Sequence, residues 1–169
     1  MPKAAAAAGS SLFFVLAPGV VAGLVPWLLT GWEAEEPLSP WVPFQVVGAA
    51  LLVAALAVLV HSFARFVVEG IGTPAPVAPT ERLVVGGLYR YVRNPMYVAV
   101  ATVIVGQALL LGQLVLLLYA AVFCLVVATF VRLYEEPVLA RQFGHEYEAY
   151  RHAVPGWWPR ARPWRPEGD

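Results

Sequence analysis

Charge is scarce in this chain. Of its 169 residues only 13% are Asp, Glu, Lys or Arg, while 60% are hydrophobic; a soluble domain carries about a quarter charged residues. A core could form at this length, but too little polar surface remains to cover it. Composition therefore excludes an ordinary soluble globule and points to one compact membrane domain over 1–169. Net charge is zero, so there is no general basic surface for nucleic acid. Cysteine is reduced to Cys124, which excludes a disulfide framework and a thiolate metal cluster and is read as a buried structural thiol. His61, His145 and His152 have no ligand-like spacing, and HExxH and CxxC are missing, so no metal is expected. There is no Walker loop, no GxGxxG and no nucleophile elbow, which argues against hydrolysis by these routes.

Uncharged length is what the sequence has instead. The segments 11–30 and 41–60 are each about the length that crosses a ~30 Å hydrocarbon layer. Pro18 and Pro26 predict a kink or irregular start in the first. Lys3 ahead of an apolar run also fits a signal peptide, but the run is long for one and later spans hold the protein in the membrane in any case. From 96 to 131 no residue is charged. As one helix this stretch would be ~54 Å long at 1.5 Å per residue, far more than one crossing requires. Gly112-Gln113 is the polar, flexible break in its middle, so the sequence predicts a hairpin of helices at 96–111 and 114–131. The expected fold is an all-α integral membrane protein with about four transmembrane helices.

Basic residues are missing from one side of this arrangement. The loop 31–40 holds Glu33, Glu35 and Glu36 but no Lys or Arg, and the Gly112 turn has none. Lys3, Arg65, Arg82, Arg90, Arg93, Arg132, Arg141, Arg151, Arg160, Arg162 and Arg165 all fall on the other side. The positive-inside rule then puts both termini and the loop 65–95 in the cytoplasm. Within that loop Pro74, Pro76 and Pro79 read as a stiff spacer, and Gly86-Gly87 permits a sharp turn or a close backbone approach.

Beyond the last span, Leu139, Phe143, Tyr147, Tyr150 and Val154 recur at helical spacing, which predicts an amphipathic C-terminal helix over about 135–153 on the cytoplasmic face. Trp157 and Trp158 suit the headgroup layer. Glu135 and Glu136 admit two readings. Arg132 lies one turn earlier and could neutralise either carboxylate in a local ion pair; alternatively a carboxylate is aimed into a pocket, where it would bind hydroxyls or an ammonium.

Two patches, GLYRYVRNPMY at 87–97 and RLYEEPVLARQFGHEYEAYRHAVPGWWP from Arg132 onward, together resemble the isoprenylcysteine carboxyl methyltransferase family, which is related to the phospholipid N-methyltransferases. The first is similar to that family's G-P-Y-x-x-x-R-H-P-x-Y motif, with Leu88 in place of Pro and Asn94 in place of His. The second is similar to its basic residue, Glu-Glu, Leu, Phe-Gly and two-tyrosine pattern. The resemblance implies a multi-pass membrane methyltransferase that uses S-adenosylmethionine, releases S-adenosylhomocysteine and has its active site on the cytoplasmic face. By that resemblance Leu83, Val84, Tyr89, Arg93, Asn94, Pro95 and Tyr97 line the cofactor site, Glu135 or Glu136 holds the cofactor's polar groups, and Arg132 faces the acceptor, making Arg132, Glu135 and Glu136 the catalytic candidates. The implied acceptor is a lipid, a lipidated group or a lipophilic small molecule drawn from the surrounding membrane lipids. Isoprenylcysteine-type carboxyl O-methylation comes first, with phospholipid or amine N-methylation and thiol S-methylation as alternatives. A transporter or a non-enzymatic assembly subunit is the rival of another class. The spans carry no intramembrane charge that would support transport.

Overall fold

The computed structural model describes residues 16–70 and 82–165. The N-terminal part of the 11–30 segment and the proline-rich spacer at 74–79 lie outside these residues. All regular structure among the described residues is helical: α1 (Leu16–Thr30), α2 (Val42–Gly70), α3 (Pro95–Leu111), α4 (Val115–Phe143) and α5 (His145–Ala153). A 3-10 turn at Gly87–Arg90 precedes α3. Two of these helices, α2 and α4, are long and apolar enough to cross a membrane. Leu118, Leu125 and Val126 are more than half exposed on α4, as are Val53 and Val60 on α2, so these outer faces are apolar surfaces suited to a membrane. Cys124 belongs to that outward face: it is exposed, not the buried thiol expected. An apolar neighbourhood in the sequence of a membrane helix does not distinguish core from lipid.

Proline shapes α1 and α4 in the same way. Each helix contains a wide π turn that ends two residues before a proline: Val20–Leu24 before Pro26 and Val131–Glu135 before Pro137. Proline has no N–H to give, and its ring crowds the carbonyl four residues earlier; widening the turn relieves that crowding while the helix continues. In α1 the carbonyls of Val21 and Ala22, five and four residues before Pro26, receive side-chain donors instead. The Tyr119 hydroxyl donates to Val21 O at 2.8 Å and Gln107 Nε2 to Ala22 O at 2.7 Å. Gln107 thereby has a reason to be buried in an apolar helix, and its Oε1 accepts from Trp32 Nε1 at 3.1 Å. In α4 the extra residue shifts the face after the turn by one position, about 100°, relative to the run before it.

The α2 and α3 backbones touch at a pair of glycines. A Cβ on Gly48 would stand 2.7 Å from Gly106 O, and one on Gly106 would stand 3.1 Å from Gly48 O. Such close approach is how membrane helices gain packing without a hydrophobic driving force. Leu59, Ala99, Val100, Ile104, Ala108, Leu116 and Ala120 form the core beside it. At the far end α3 stops at Gly112, whose φ of 71° is left-handed and where a Cβ would collide with the Glu35 carbonyl. Glu35 N donates to Leu111 O at 2.7 Å, Gln113 Nε2 to Glu33 O at 2.9 Å and Trp41 Nε1 to Leu109 O at 2.8 Å. The acidic loop is therefore tied to the hairpin turn.

The stretch 135–153 is helical in two pieces. Gly144, with φ 51° and ψ −124°, breaks it between α4 and α5, a conformation that side chains with a Cβ rarely adopt. The bend folds α5 back so that Tyr147, Tyr150 and Val154 are buried against Leu83, Val85, Leu139, Phe143 and Trp164. This second small core supports the site.

Candidate active site

Arg93 stands at the end of a tightly placed loop. Gly87 has φ 55°, and a Cβ there would lie 2.9 Å from His61 Nε2 and 3.0 Å from the Arg65 side chain, so the loop backbone presses against α2. The 3-10 turn buries Tyr89, whose carbonyl accepts the Tyr150 hydroxyl at 2.7 Å. Pro95 then opens α3 at a position where a missing N–H costs nothing. Between these fixed points Arg93 projects toward α4 and α5.

Its guanidinium joins several segments. Arg93 Nη1 meets Glu136 Oε1 at 2.7 Å and donates to the Tyr147 hydroxyl at 3.0 Å, and Nε donates to Val154 O at 2.9 Å. The other carboxylate oxygen, Glu136 Oε2, faces Arg151 Nη2 at 3.3 Å. Burial holds the Tyr147 phenol above its ordinary pKa despite the pull of Arg93, and burial raises that of Tyr150 as well. Both tyrosines therefore stay neutral, and Glu136 carries the negative charge between two cations.

Adjacent Glu135 points elsewhere: it accepts the Tyr97 hydroxyl at 3.1 Å. The local ion pair with Arg132 that the sequence allowed is not the arrangement found. Glu136 is matched by Arg93 and Arg151, Glu135 bonds Tyr97, and Arg132 is exposed with no ion pair among the described residues. The partners come from the loop (Arg93), from the first turn of α3 (Tyr97) and from α5 (Arg151), not from the neighbouring turn of α4.

A cavity of about 420 Å³ opens beside the pair, lined by Arg93, Ala128, Val131, Arg132, Glu136, Arg151 and Trp157. Its walls change character along α4, from the apolar Ala128 and Val131 to the charged Arg132 and Glu136. Three guanidiniums against one carboxylate make it a cation-rich site for a ligand with an anionic group. An ammonium on the ligand has one lining side chain of opposite charge to meet, the Glu136 carboxylate.

Of the residues expected at the site, Arg93, Arg132 and Glu136 line this cavity. Leu83, Val84, Tyr89, Asn94, Pro95, Tyr97 and Glu135 are not among its lining residues. Leu83 packs on the Tyr147 core, Val84 and Pro95 are buried, and the Asn94 amide donates to Gly156 O at 3.1 Å. Sequence reasoning did not single out Arg151 or Trp157 for the site. Arg151 had a signal: it lies four residues after Tyr147 and so shares a helix face with it. The sequence makes Trp157 and Trp158 alike as interfacial anchors, but the two differ: Trp157 lines the cavity while Trp158 is 81% exposed.

No curated protein and no solved structure matches the chain. A family model does: it covers residues 44–146, from the third residue of α2 through α3 and α4 to the start of α5. That is more than half of the sequence and takes in Arg93, Arg132, Glu135 and Glu136. The chain belongs to the phospholipid methyltransferase family, a family of membrane methyltransferases.

Proposed function

We propose that the chain transfers a methyl group from S-adenosylmethionine to a lipid acceptor, at a cytoplasmic site reached from the bilayer. The observation that carries this reading is the cavity where the Arg93–Glu136–Arg151 cluster meets the apolar wall of α4. Its size falls within the roughly 300–1,000 Å³ of small-molecule sites, and its donors fit the cofactor's mixed charge. Glu136 would hold an ammonium or hydroxyls, Arg93 and Arg151 a carboxylate, and the Trp157 indole an aromatic base. When bound, the cofactor supplies an electrophilic methyl on a sulfonium, and S-adenosylhomocysteine leaves. The protein's own residues orient the two partners and exclude water, which do much of the work in a displacement of this kind. Arg132, exposed and without an ion pair among the described residues, faces the acceptor.

The topology in this reading has four crossings, at about 16–30, 42–65, 95–111 and 115–131. Both termini, the 65–95 loop, the end of α4 and α5 lie in the cytoplasm, with the acidic loop 31–40 on the far side. Ala128 and Val131 then sit where acyl or prenyl chains arrive, and the arginines sit at headgroup depth.

For the acceptor, the family match favours the amine of a phospholipid. A second reading, isoprenylcysteine-type carboxyl O-methylation, is favoured by the engagement of both carboxylates: Glu136 is held by two guanidiniums and Glu135 by Tyr97. An ammonium must lose a proton before it can accept a methyl, whereas a carboxylate needs no base. Incubating the purified protein with methyl-labelled S-adenosylmethionine and either phosphatidylethanolamine vesicles or a prenylcysteine tests both. Label in the phospholipid supports the first reading and label in a methyl ester the second. Label in neither, with folded protein, removes both.

A further inference from the structure

Asn94 occupies the residue before α3, where Asn ordinarily caps a helix with its side chain. Here it makes no capping bond. Its side chain instead belongs to a row of donors that grips the chain after α5. Val154 O accepts from Arg93 Nε at 2.9 Å, Pro155 O from Arg93 N at 2.9 Å, and Gly156 O from both Asn94 N at 3.2 Å and Asn94 Nδ2 at 3.1 Å. Three consecutive carbonyls are thus held by two consecutive residues. Asn94 is buried at 8% exposure, so this is not a surface contact. Gly156 makes the approach close: a Cβ there would stand 3.3 Å from Arg93 Nη2 and 3.6 Å from Asn94 Nδ2.

The next residue is Trp157, which lines the cavity. Farther on, the chain is fixed again: Arg160 N donates to Tyr91 O at 2.9 Å, and Trp164 N to Arg90 O at 2.9 Å. Trp157 therefore lies between two attachments, and the Asn94 amide belongs to the nearer one. We propose that Asn94 is a positioning residue that, through the Gly156 carbonyl, holds Trp157 in place as a wall of the cavity. The inference rests on the reading of that cavity as the methyl-donor site. Asn94 acts on the ligand through Trp157 and does not itself touch it.

The test uses the full chain in detergent and S-adenosylhomocysteine as the probe. Losing one net hydrogen bond at the wall should weaken binding about fivefold in Asn94→Ala by calorimetry. In a Trp157→Ala background the same change should have no further effect, because the residue it positions is gone. Equal losses in both backgrounds, or no loss in either, overturn the proposal. A ligand-free arm follows the tether directly. With Cys124→Ser removing the exposed native thiol, a nitroxide on Trp158→Cys should show a larger mobile fraction when Asn94→Ala is added. An unchanged spectrum overturns the proposal. If the wild type binds no S-adenosylhomocysteine, the donor reading fails on its own, and the nitroxide spectrum decides whether Asn94 holds the tail.

Discussion

The Arg93 guanidinium and the Glu136 carboxylate meet at 2.7 Å across 43 residues of sequence, with side chains 14% and 13% exposed. A pair this protected is costly to break from one side only. Removing Arg93 leaves Glu136 only the half-exposed Arg151 at 3.3 Å. Losing one side of a fully buried pair costs about 3 kcal/mol, and the remaining partner keeps the loss here below that. Arg93→Ala is therefore expected to lower the unfolding midpoint in detergent clearly. Arg151→Ala should lower it little, because Arg151 is 45% exposed and exposed pairs contribute at most about 1 kcal/mol. Thermal unfolding of the two variants side by side checks this. Equal shifts would mean that Arg93 is not the principal partner.

Pro137 aims Glu136 by forcing the wide turn before it. Pro137→Ala restores a backbone N–H and removes a residue that disfavours helix interiors by about 3 kcal/mol. Loss of the Arg93–Glu136 pair offsets that gain, so stability should change little as the turn relaxes to ordinary helix. Glu136 would then rotate away from Arg93 by up to about 100°, and binding of S-adenosylhomocysteine should fall at least tenfold. Unfolding and calorimetry on the same sample separate the two effects. A variant that is as stable and binds as well would show that the π turn does not set the site.

Arg132 is exposed and has no ion pair among the described residues, so its removal leaves no buried charge behind. Arg132→Ala is expected to reduce turnover about tenfold, roughly the loss of one charge-assisted contact, while affinity for the methyl donor changes less than twofold. Kinetics with varied donor and acceptor check the split. An equal loss in donor affinity would place Arg132 on the donor instead.

The sequence made the helical, membrane character readable because charge scarcity and run length are one-dimensional properties. The break at Gly112 was readable because Gly112-Gln113 lies at the middle of the uncharged stretch, whereas the similar pair Gly106-Gln107 lies inside α3. Arg93, Glu136 and Arg132 stood out because charge at the edge of an apolar run is conspicuous. What could not be read was which partner each residue would choose. Arg132 was the neighbour of Glu136 along the helix, but Arg93 reaches it from the loop before α3, and Arg151 through a turn at Gly144 that folds α5 back. The π turn of α1 was legible only as a proline where a kink was expected. The roles of Gln107 and Tyr119 follow from carbonyls that Pro26 leaves without donors, and no local pattern announces such a pairing. Cys124 misled because an apolar run looks the same whether lipid or protein surrounds it.

The central claim is that Glu136, set between Arg93 and Arg151, holds the methyl donor. Calorimetric titration of S-adenosylhomocysteine into the purified full chain, wild type against Glu136→Gln, tests it most directly. The substitution keeps the side chain's size and removes its charge. The account predicts one site per chain in the wild type and at least tenfold weaker binding in Glu136→Gln, with both proteins still helical by circular dichroism. Folded wild type that takes up no ligand, or a Glu136→Gln variant that binds as tightly as the wild type, would contradict it.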